Sequence, residues 1–66
     1  MRYMSWVKSI RHGLESEGAK VFFQHTTVVR DQMAVQISYD DLNGNSYDHV
    51  FLVSEKGVED IGRALR

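Results

Sequence analysis

The sequence predicts a two-layer α+β domain in the order αβββα: a three-stranded antiparallel sheet with two helices on one face. Three observations carry this reading. An apolar stripe of helical period opens the chain, two later segments alternate with period two, and Asn43-Gly44 separates a pair of apolar runs. The whole of 1–66 reads as one small domain, without repeats, linkers or low-complexity stretches.

Tyr3, Val7, Ile10 and Leu14 fall at i, i+4, i+7 and i+11, one face of a helix placed over residues 2–17. Lys8, Arg11, His12 and Glu15 occupy the rest of the wheel, and Gly18 supplies the left-handed residue that ends a helix. From Ala19 the texture turns β-branched and aromatic. Val21, Phe23, His25, Thr27 and Val29 alternate with Phe22, Gln24, Thr26, Val28 and Arg30 in a long first strand. Arg30-Asp31 makes a turn, after which Met33, Val35, Ile37 and Tyr39 alternate with Gln32, Ala34, Gln36 and Ser38. This second strand has one buried face.

Asn43-Gly44 is the strongest short-range hairpin signal, since both residues tolerate the positive φ of a type I′ turn. A two-residue loop there sets Leu42 opposite Asn45 and pairs Ile37 with Val50 and Val35 with Leu52. Ser54 then caps a second helix with Val58, Ile61 and Leu65 as its apolar stripe, and Arg63 and Arg66 suit its C-terminal dipole.

A chain of 66 residues without cysteine buries only about 60% of its unfolded surface and has no disulfide to add. Natural domains of this size add a staple, and association is the one left open here. Residues 1–12 carry Arg2, Lys8 and Arg11 with no acid, whereas the remainder holds five bases against all nine acids. A net charge of −1 is not the footprint of a general nucleic-acid binder.

Two short helices cover one sheet face, so the other is left open. In the predicted register it carries Gln36, Ser38 and Asp40 with Tyr47, His49, Phe51 and Val53, joined by Phe22 and Val28 according to the register of the first strand. A solvated face should be polar, and one half apolar and aromatic marks an interaction surface. A secondary surface is the basic helix, with Arg2, Trp6, Lys8 and Arg11.

Other chemistries find no support. The three histidines lack HxH or HxxxH spacing, and in the predicted register His25 and His49 point to opposite faces. Asp41-x-Asn43-x-Asn45 begins like a calcium loop, but Ser46 and Leu52 stand where that loop needs its glycine and its bidentate glutamate. There is no nucleophile elbow and no phosphate-binding glycine loop. The element order is similar to that of the double-stranded RNA-binding domain. That family's basic motif would fall on Ser54–Asp60, which carries a net −2 and repels phosphate, so the resemblance stops at the order of elements.

The expectation is therefore a small, non-enzymatic, cytoplasmic protein–protein interaction module, a regulator, inhibitor or adaptor, acting through the open sheet face as a monomer or a homodimer. It has no cofactor, metal, membrane span or small-molecule substrate. The alternative is a nucleic-acid-binding domain that uses the sheet-face aromatics or the basic helix.

Overall fold

A computed structural model describes residues 3–66. One helix, α1 (Tyr3–Ser16), is followed by β1 (Lys20–Val29), β2 (Gln32–Asp40), β3 (Ser46–Ser54) and β4 (Gly57–Leu65). The four strands form an antiparallel meander in the order β1-β2-β3-β4, so β1 and β4 are both edges.

The helix ends as its sequence requires. Gly18 takes φ 96° and donates to the Glu15 carbonyl, while Ala19 donates to the Leu14 carbonyl, the paired bonds of a Schellman cap. Val7 is buried, and Ile10 and Leu14 pack beside it on Met33, Val35, Ile37, Tyr39, Phe51 and Val53. Burial of each such aliphatic side chain is worth about 1.5–3 kcal/mol.

The predicted second helix does not exist; residues 57–65 are the fourth strand. Val58, Ile61 and Leu65 have helical spacing, but Gly57 and Gly62 each cost a helix about 1 kcal/mol. A bulge next to Ile61, with Gly62 at φ 123°, absorbs the odd residue and leaves Val58 and Leu65 on one face of a strand, opposite Val53 and Tyr47. Ser54 serves a turn and caps nothing: its Oγ accepts from the Lys56 N–H at 3.2 Å, and Ser54 pairs with Gly57 across the ladder. Val50-Phe51-Leu52-Val53 is apolar on both faces, the mark of a central strand that needs a neighbour on each side.

The β2–β3 register also differs, by one residue. Val35 pairs with Phe51 and Ile37 with His49, where Leu52 and Val50 were expected. The loop spans Leu42, Asn43 and Gly44, closed by the Asp41 N–H on the Asn45 carbonyl at 2.9 Å and the Gly44 N–H on the Asp41 carbonyl at 3.1 Å. Asn43 does not take positive φ, whereas Gly44 does at 83°, so this is a three-residue turn with a glycine bulge and not type I′. The Asp41 carboxylate accepts from the backbone N–H groups of Asn43 and Asn45 at 2.8 and 2.9 Å. Those bonds, the one from Asn45 foremost, hold its pKa below the ordinary carboxylate value.

Candidate protein-interaction surface

Because side chains alternate, a one-residue slip exchanges the faces of β3. Tyr47, His49, Phe51 and Val53, expected on the open face, lie on the face that α1 covers; His49 is 8% exposed, Phe51 7% and Val53 0%. Val28 pairs with Met33 and shares that covered face, although it is half exposed near the margin. Of the residues expected there, Gln36, Ser38 and Asp40 of β2 do lie on the open face, and Phe22 borders it. On the helix, Trp6 and Lys8 are exposed and Arg11 is half-buried, in an ion pair with Glu15 at 3.6 Å and a contact to Gln24 at 3.4 Å. Arg2 lies outside the described residues.

The slip assembles a polar chain beneath the helix. Arg63 donates to the Tyr39 hydroxyl at 3.1 Å, Tyr39 meets Nδ1 of His49 at 2.9 Å, and Nε2 of His49 meets Asp60 at 2.8 Å. Every group is satisfied when the protons run in one direction: Arg63 to Tyr39, Tyr39 to His49, His49 to Asp60. The guanidinium also lies 3.9 Å over the Tyr47 ring, and its bond to Tyr39 raises its pKa further above the ordinary value. Tyr39 is only 2% exposed, and with His49, Asp60 and Arg63 it borders a cavity of about 330 Å³ between the sheet and α1. The arrangement is a clamp that ties β4, through Asp60 and Arg63, to the centre of the sheet.

The open face carries Phe23, His25, Thr27 and Val29 from β1, beside Gln36 and Ser38 from β2. A bulge between Val21 and Phe23 brings Phe22 alongside Phe23, and the two line an open groove of about 490 Å³ with His25, Gln36, Ser38 and Arg66. Phe22 and Phe23 are 52% and 48% exposed, and the Phe23 and His25 rings stack at 6.4 Å. Arg66 stands 5.4 Å from the Phe22 ring and pairs with Asp48 at 3.5 Å, while Asp48 accepts from Ser38 at 2.6 Å.

The two edges of the sheet are not alike. β4 bears Glu59, Asp60 and Arg63, two glycines and a bulge near its middle, all features that discourage a further strand. Beyond its bulge, β1 runs regularly from Phe23 to Val29 with no charge, glycine or proline. Such a segment of high β-propensity is a template for another strand. The signal for this surface was present in the sequence as the doubled Phe22-Phe23, which breaks the alternation, and in the absence of charge from 21 to 29.

Among the described residues no helix is long and apolar enough to cross a membrane, and no group of three or more His, Cys, Asp or Glu could hold a metal ion. No family model, curated protein or solved structure matches the chain.

Proposed function

We propose that this chain is a protein-binding module that takes an extended strand onto the edge of β1, with the Phe22–Phe23 groove selecting side chains of that strand. The observation that carries this reading is the contrast between a charged, bulged β4 edge and an uncharged, regular β1 edge. Strand addition satisfies the unpaired backbone groups of β1, and the adjacent apolar side chains supply specificity. A single-stranded nucleic acid is less well suited to the same aromatics, because Arg66, the cation that lines their groove, is already paired with Asp48.

The test is Thr27→Lys, which places a charge on the exposed middle of β1. Its unfolding free energy should stay within about 0.5 kcal/mol of wild type, as for other surface changes. Both proteins are compared for self-association by light scattering and for capture of other proteins as baits. Loss of every association in the folded variant supports the reading; retention of all of them overturns it.

A further inference from the structure

We infer that the strand received by β1 is β1 of a second copy, paired antiparallel about Thr26 to give a two-fold dimer with a continuous eight-stranded sheet. This rests on the binding role proposed above for the β1 edge.

The pattern along β1 is self-complementary. Phe22 and Phe23 lie at one end and Val28 and Val29 at the other, with Gln24, His25, Thr26 and Thr27 between them. Turned end for end, the strand presents its valine end to its phenylalanine end, and polar centre meets polar centre. Laying the regular segment Phe23–Val29 fully onto itself fixes the register. Thr26 faces its own mate, His25 faces Thr27, Gln24 faces Val28, and Phe23 faces Val29, an aromatic to β-branched pair that occurs twice. Residues that share a face in one copy share it across the junction, as the pleat requires. Lys20, the sole formal charge on β1, lies outside this segment, so no like charges meet.

The helices permit the approach. α1 packs on β1, β2 and β3 and so is centred near β2. With strands about 4.8 Å apart, β2 of one copy lies roughly 14 Å from β2 of the other. Helices in contact sit about 8–10 Å apart, so the two copies of α1 flank the junction without colliding. The association also fits a chain whose core is too small to be stable with margin.

The sequence has no cysteine, so single-cysteine variants report the register directly. In a dimer about Thr26, the two copies of residue 26 are about 5 Å apart, whereas those of residue 29 are about 20 Å apart. Light scattering over a concentration series should approach twice 7.6 kDa. Thr26→Cys should be joined by a short bis-maleimide, Val29→Cys should not, and Thr27→Lys should return the chain to monomer. A chain that stays monomeric at every concentration overturns the dimer. If that monomer still holds another protein in a manner lost in Thr27→Lys, the binding role of β1 stands and its occupant is different. Cross-linking through Val29→Cys with none through Thr26→Cys also overturns the proposed pairing.

Discussion

The Tyr39 hydroxyl lies 2.9 Å from Nδ1 of His49, one hydrogen bond in a chain that starts at Arg63 and ends at Asp60. Tyr39→Phe keeps the ring in place and removes the oxygen. It leaves the buried His49 nitrogen without its donor and Arg63 without that acceptor. The expected loss is about 1–3 kcal/mol, the penalty of a buried polar group left unmade, read as a lower urea midpoint at unchanged slope.

Phe51 and Phe23 should answer the same substitution in opposite ways. Phe51 is 7% exposed, stacks on His49 at 4.2 Å and faces Val35. Phe51→Asp sets a carboxylate in that environment at a cost comparable to the whole stability of so small a domain, roughly 3–5 kcal/mol. Circular dichroism should show an unfolded chain. Phe23→Asp, on the exposed edge, should retain the native spectrum and lose association.

Acidification should act in part through Asp41. Its pKa is lowered in the folded state by the N–H groups of Asn45 and Asn43, so its contribution is present above the unfolded value and lost as pH falls through the folded one. The window lies below about pH 4. In Asp41→Asn the amide oxygen can still accept both bonds but no longer titrates. The fall of the unfolding midpoint between about pH 4 and pH 2 should be shallower in the variant than in the wild type.

The β1–β2 turn holds Arg30 at φ 60°, the only non-glycine residue at positive φ among those described. A side chain there meets the following carbonyl, at a cost of roughly 1–2 kcal/mol, offset in part by the greater freedom glycine has when unfolded. Arg30→Gly should therefore stabilise the chain by up to about 1 kcal/mol, seen as a higher melting temperature.

How far the fold could be read in advance depended on which residues admit one answer. Val7, Ile10 and Leu14 fit a helix and nothing else, Gly18 has a cap to make, and the alternation of Met33 to Tyr39 admits one buried face. Asn43-Gly44 is different, because it suits a two-residue I′ loop and equally the end of a three-residue turn. The parity of that loop decides which face of β3 is buried. Since β3 is apolar on both faces, hydrophobicity could not arbitrate. Asp41, two residues before Asn43, was the available clue, as a side chain able to accept the turn's own N–H groups. Residues 57–65 were ambiguous for a related reason: a bulge lets a strand keep a helical spacing of apolar residues. The open-face site inherited the register error, and the contrast between the two edges emerged only once β4 had replaced β3 as the border opposite β1.

The unequal borders of the sheet bear on where growth stops. A unit with two receptive ends adds neighbours without limit, and a unit with two blunt ends adds none. Here one end is receptive and the other is blunted by Glu59, Asp60, Gly62 and Arg63. Pairing through the receptive end alone consumes it in a single step and leaves a blunt border on each outer side. In the proposed dimer the product would be a closed object of fixed size, with the charges on β4 guarding an adhesive sheet against growth into a fibre.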